Sequence, residues 1–267
     1  MSTPEPPDAQ STHNAPDTPD TNNAGDKATS RRGFIGITAS ALAGLMIAPG
    51  IRLIDIAVAK PVEQAASKTV RWGMLIDTAK CASGCTDCVT ACNTENGLSG
   101  GVSETDSQWI RKLDIKNLNT GHAISMPMMC QHCADPPCVD VCPTGASFKR
   151  ADGIVLVDAH ICIGCRYCVV ACPYKARSFV HEPITGQKPD VPRGKGCVEG
   201  CTMCVQRIDR DEKPACVEAC NAAGHEAILF GDLNDPNSDI SRRSAKVATQ
   251  QVRADMRLNT GVRYEGI

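Results

Sequence analysis

Sixteen of the seventeen cysteines in this chain fall into four runs: Cys81-Cys85-Cys88-Cys92, Cys130-Cys133-Cys138-Cys142, Cys162-Cys165-Cys168-Cys172 and Cys201-Cys204-Cys216-Cys220. Thiolates a few residues apart wrap the corners of one cubane, while a fourth, further along, reaches a neighbouring cluster. The count predicts four [4Fe-4S] clusters with these sixteen cysteines as their iron ligands. A disulfide framework would not repeat such spacings four times, and cysteines two residues apart rarely bond each other outside redox motifs. Structural zinc usually takes two separated pairs instead of runs of four.

Aromatic residues make up only 3% of the chain. Buried iron and sulfide must then replace part of the missing apolar volume, and cluster ligation must supply folding free energy. A formal net charge of -2 gives no argument for nucleic acid as a partner. The sequence offers no phosphate-binding loop, no Ser-His-Asp set and no paired carboxylates. Cysteine supply also matches cluster demand, so no open metal position is left for a substrate. The reading is electron transfer without a catalytic residue. An autonomous iron-sulfur reductase with a labile iron is the competing class, and a colourless zinc scaffold is a third.

Residues 1–59 are set apart. The first thirty are rich in Pro, Asp, Thr, Asn and Ser and read as a disordered tail. Ser30-Arg31-Arg32-Gly33-Phe34-Ile35, an apolar stretch through Ile47 and then Pro49-Gly50 have the layout of a twin-arginine export signal, which predicts a periplasmic protein. Cleavage after Ala57-Val58-Ala59 or near Ala65-Ala66 fits the small-residue rule. The apolar stretch is shorter than the ~20 residues that span a bilayer comfortably. A soluble or peripheral mature protein is expected.

Residues 70–240 read as one α+β domain of tandem two-cluster ferredoxin-like modules, with short strands, short helices and long loops, followed by a C-terminal tail over 241–267. Strands are expected at Gly73-Met74-Leu75-Ile76-Asp77, at Gly153-Ile154-Val155-Leu156-Val157-Asp158 after an Asp152-Gly153 turn, at Ser178-Phe179-Val180-His181 and at Ala227-Ile228-Leu229-Phe230. The third and fourth cysteines of every run are four residues apart and would share a helix face. Pro143 and Pro173 stop two of these helices; Asn93 and Asn221 stand in the equivalent places of the other two, predicting different ends. In the tail, a helix after residue 241 and an extended clasp over 259–267 are both open.

The order of the runs, together with Met128-Met129-Cys130-Gln131-His132-Cys133-Ala134-Asp135-Pro136-Pro137-Cys138, Cys162-Ile163-Gly164-Cys165-Arg166-Tyr167-Cys168 and Lys213-Pro214-Ala215-Cys216-Val217-Glu218-Ala219-Cys220, resembles the four-cluster electron-transfer subunits of molybdopterin oxidoreductase, hydrogenase and nitrite reductase membrane complexes. Within that family the Cys81-Ala82-Ser83-Gly84-Cys85-Thr86-Asp87-Cys88-Val89-Thr90-Ala91-Cys92 segment and the export signal are most similar to periplasmic subunits of sulfite-reductase-associated complexes. The resemblance covers roughly residues 70 to 240.

It implies that the first run pairs with the fourth and the second with the third. Cys220 would complete the set Cys81, Cys85, Cys88, and Cys92 the set Cys201, Cys204, Cys216. Cys172 would complete Cys130, Cys133, Cys138, and Cys142 would complete Cys162, Cys165, Cys168. The implied partners are a polytopic quinone-interacting membrane subunit and a multihaem cytochrome or other redox subunit, in dissimilatory sulfur metabolism. Equivalent subunits of nitrite reductase, polysulfide reductase or hydrogenase complexes are the alternative.

Three residue-level questions stay open. The three-residue gap between Cys81 and Cys85 demands a bulge, for which Gly84 is suited. Cys197, the spare, repeats the first run's spacing to Cys201 and Cys204 and is an alternative ligand to the preferred Cys216. His132 is expected to be structural, whereas Arg166, Tyr167, Lys175 and Arg177 either raise a cluster's potential or form a solvated face.

Overall fold

In a computed structural model the described residues are 66–99 and 103–267. The export signal and the Ala57-Val58-Ala59 cleavage site lie outside them. No helix among the described residues is long and apolar enough to cross a membrane.

The main sheet is built on β1 (Trp72–Asp77), whose Met74, Leu75 and Ile76 are all buried. A strand buried on both faces must be central. The other strands, in chain order, are β2 (Ile110–Lys116), β3 (Ala123–Met129), β4 (Ser147–Lys149), β5 (Val155–Val157), β6 (Ser178–Phe179), β7 (Val198–Glu199), β8 (Ile228–Asp232), β9 (Thr249–Gln250) and β10 (Val262–Glu265). The sheet order is β8-β1-β10-β9, with β8 antiparallel and β10 parallel to β1. The last residues of the chain thus clasp this domain: Tyr264 is fully buried, and Thr78 Oγ1 donates to the Glu265 carbonyl at 2.9 Å.

Three two-stranded ribbons carry the rest: β2–β3, β4–β5 and β6–β7. The β2–β3 hairpin is the longest and was not expected from the sequence. The Asp152-Gly153 turn joins β4 to β5 as expected, in the register Phe148 opposite Leu156. The interior is filled by methionines 74, 126, 128, 129 and 203 with Ile76, Ile154, Ile228 and Tyr264. Unbranched thioethers suit the irregular space around bulky groups.

The helices are α1 (Asp87–Asn96), α2 (Pro137–Asp140), α3 (Tyr167–Ala171), α4 (Val205–Ile208), α5 (Ala215–Ala222) and α6 (Asp239–Ser244). Helices α1 and α5 run past their fourth cysteines, Cys92 and Cys220, onto Asn93 and Asn221, and pack against each other. In the second and third runs the helix is shorter than the shared-face argument required. Helix α2 ends at Asp140, before Cys142, and α3 ends at Ala171, before Cys172. A residue preceding proline is pushed out of the helical region, and Cys172 sits at ψ 111° before Pro173.

Candidate metal centres

Thiols from two distant runs come together at each of four places. Cys81, Cys85 and Cys88 line one cavity with Cys220. The bulge between Cys81 and Cys85 is made at Gly84, whose φ is +75°. Lys112 from β2 spans this loop, its Nζ donating to the carbonyls of Ala82 at 2.7 Å and Cys85 at 3.1 Å. Asp87 and His225 stand beside Cys85.

Cys92 is a near neighbour of Cys204, and Cys216 of both Cys204 and Cys92, with Cys201 beside the same pair. Cys130 and Cys133 meet Cys138 and Cys172. Cys168 faces Cys162 and Cys142, and Cys165, on the same loop, is exposed. The four groups follow one another in space. Cys88 is within electrostatic reach of Cys216, Cys201 of Cys130, and Cys138 of Cys168.

Burial pushes several thiols up, Cys88 and Cys130 to about 11 and Cys92 and Cys133 to about 12, with neighbouring thiols adding to the effect at Cys88, Cys92 and Cys133. Several buried thiols this close would repel as thiolates, so the sites call for a cationic core to hold them deprotonated. Backbone N–H groups already point at the sulfurs: Ser147 at Cys142 (3.3 Å), Ala227 at Cys220 (3.3 Å), Met203 at Cys201 (3.4 Å) and Val198 at Cys162 (3.5 Å). Such donors stabilise thiolate-ligated clusters.

Orphaned donors make the same point. His132 Nδ1 accepts the Val155 N–H at 3.0 Å, so the neutral ring carries its proton on Nε2, which is buried with no partner among the described residues. Burial and Arg177 depress its pKa to about 3. Arg177 Nη1 is buried and unpartnered in the same way. A group rich in sulfide acceptors beside Cys130 and Cys138 fits both.

Of the four residues around the third run, Arg177 is buried, whereas Arg166, Tyr167 and Lys175 are exposed. The Arg166 guanidinium lies 4.4 Å from the centre of the Phe179 ring. Lys112 was not singled out by the sequence. Its signal was its place in a charged strand, which says nothing of the loop it reaches.

Four-thiol groups set in short strands and helices define a ferredoxin-type iron-sulfur protein, and [4Fe-4S] clusters are its cofactor. The 4Fe-4S dicluster domain family matches residues 122–232. An Hdr-like menaquinol oxidoreductase iron-sulfur subunit 1 from Archaeoglobus fulgidus is 41% identical over 265 residues, covering 88% of this chain and 97% of that protein. A tetrathionate reductase subunit from Salmonella typhimurium is 37% identical over 73% of each chain. A sulfite dehydrogenase subunit from Allochromatium vinosum is 40% identical over 63% of this chain and 71% of its own. The chain belongs to this family of iron-sulfur subunits of oxidoreductases.

Proposed function

We propose that the chain is a periplasmic relay of four [4Fe-4S] clusters that carries electrons between a quinone-interacting membrane subunit and a second redox subunit in dissimilatory sulfur metabolism, as part of a sulfite-reductase-associated membrane complex. The clusters supply one-electron transfer. The protein's own part is to hold, insulate and order them. The observation that supports the reading is the spatial succession of four places where thiols of two runs stand together. Cys81, Cys85, Cys88 and Cys220 would hold one cluster; Cys201, Cys204, Cys216 and Cys92 the next; Cys130, Cys133, Cys138 and Cys172 the third; Cys162, Cys165, Cys168 and Cys142 the last.

The last group lies in an apolar collar. Val141, Ile161, Ile163, Tyr167 and Val170 are all exposed, and each is within two residues of a cysteine of the second or third run. Val170 is 85% exposed on a short helix whose Cys168 is buried. A water-facing apolar surface around a redox group is suited to docking. With no membrane-spanning helix among the described residues, contact with a quinone pool requires such a partner. Relatives described as menaquinol oxidoreductase, tetrathionate reductase and sulfite dehydrogenase subunits support both the quinone side and the sulfur chemistry.

Iron and acid-labile sulfide counted on the purified, exported chain test the reading. About sixteen of each per polypeptide are expected for four cubanes. Fewer than about twelve irons after anaerobic reconstitution would break the relay.

A further inference from the structure

Arg177 is 7% exposed and lies between two thiol groups. Its Nη2 donates to Cys138 Sγ at 3.2 Å and to Ser147 Oγ at 3.0 Å, and its Nη1 is buried without a partner. Among the described residues no carboxylate comes within ion-pair distance of it, although Arg150, Arg193, Arg207, Arg210, Arg242, Arg243 and Arg253 each have an acidic partner. Its charged neighbours are Cys138 and Cys130 of one group and Cys168 of the next. An arginine keeps its charge in proteins, and a buried cation is tolerated only where negative charge answers it.

We propose that Arg177 sets the reduction potentials of the two clusters held by the second and third runs, raising both. This rests on the four-cluster reading above. The physical step is short. Reduction adds one negative charge to a thiolate-ligated cluster, and a fixed cation at hydrogen-bond distance from a ligand sulfur stabilises the reduced state more than the oxidised one. Its guanidinium also donates directly to a ligand sulfur, which shifts the potential in the same direction. The first and fourth runs have no arginine so placed among the described residues. Their cations are Lys112, which acts on Cys81 and Cys88 and also bonds the carbonyls of Ala82 and Cys85, and Arg207 near Cys204; unlike Arg177, neither is flanked by thiols of two groups.

The experiment is a redox titration followed by electron paramagnetic resonance on the full chain as wild type, Arg177→Gln and Arg177→Lys, with iron and sulfide counted on each. The expected result is full iron in Arg177→Gln with two midpoints moved to lower potential and two unmoved, and a smaller movement in Arg177→Lys. Full iron in Arg177→Gln with every midpoint unchanged overturns the proposal. If Arg177→Gln does not hold its iron, Arg177→Lys decides: full loading with midpoints near wild type supports a role for the charge. Loss of iron there too shows that the shape of the side chain is what matters and overturns it. A wild-type chain short of iron would instead sink the four-cluster reading.

Discussion

Cys197 Sγ donates a hydrogen bond to the carbonyl oxygen of Ala159 at 3.3 Å. This ties the spare thiol to the loop that leads into the third run. Burial and then Cys162 push its thiol up. Cys216, its rival as a ligand in the fourth run, is buried against Cys204 and Cys92. Cys197→Ser keeps a donor for Ala159 and is expected to leave iron content and spectrum at wild-type values, whereas Cys216→Ser loses about four irons per chain. Iron analysis of both variants checks this, and iron loss from Cys197→Ser would reopen the ligand assignment.

Gly164 lies between Cys162 and Cys165 at φ +68°, and a Cβ there would come within 2.1 Å of the Gly196 carbonyl oxygen. Backbone cannot give way as a side chain can. Gly164→Ala must therefore displace the loop that carries two thiols of one group. The expected outcome is loss of about one cluster with the remainder intact. Iron per chain and the number of resonance signals after full reduction measure it.

Tyr264 closes the sheet from the far end of the sequence. Its hydroxyl donates to the Pro127 carbonyl at 3.2 Å and accepts from Gln131 Nε2 at 3.1 Å. Tyr264→Phe leaves that carbonyl short of a donor and should cost about 1–3 kcal/mol. Tyr264→Ala adds a cavity and should cost ~3–5 kcal/mol. The order Ala below Phe below wild type is expected in anaerobic thermal bleaching of the cluster absorbance. Equal midpoints for all three would show that β10 contributes little to holding the fold.

Local patterns made part of this molecule legible. Apolar runs bounded by turn residues gave β1, β5, β6 and β8 to within a residue or two, and the Asp152-Gly153 turn marked where β5 begins. The β2–β3 hairpin is marked more weakly. Ile110, Leu113 and Ile115 do not alternate strictly along β2, and Pro127 interrupts β3, where proline argues against a strand. Other features have no local signal. Strand β10 pairs with β1 from the opposite end of the chain, and only long-range packing selects that partner. In Tyr174-Lys175-Ala176-Arg177-Ser178 the sequence leaves both a cluster-side role and a solvated face open for Arg177, and its burial follows from how the second and third runs come together. At the sites, the spacing located the thiols, whereas the grouping of each run with another came from family resemblance.

The apolar collar leads to the last prediction. Val170 is on the outer face of α3, two residues from Cys168, with 85% of its surface in water. Replacing it by glutamate removes no packing from the interior, so the domain should fold and load its clusters as before. A charge in the centre of an apolar interface, left without a partner, costs association strongly. Val170→Glu is thus expected to keep full iron and sulfide while losing co-purification with the membrane subunit by at least roughly tenfold, equivalent to about 1.4 kcal/mol. Glu182→Gln, in the loop after β6, removes an exposed charge that is not one of the collar's side chains and should leave assembly unchanged. If Val170→Glu assembles as well as wild type, the collar is not the docking face, and the membrane partner must meet the chain at another cluster.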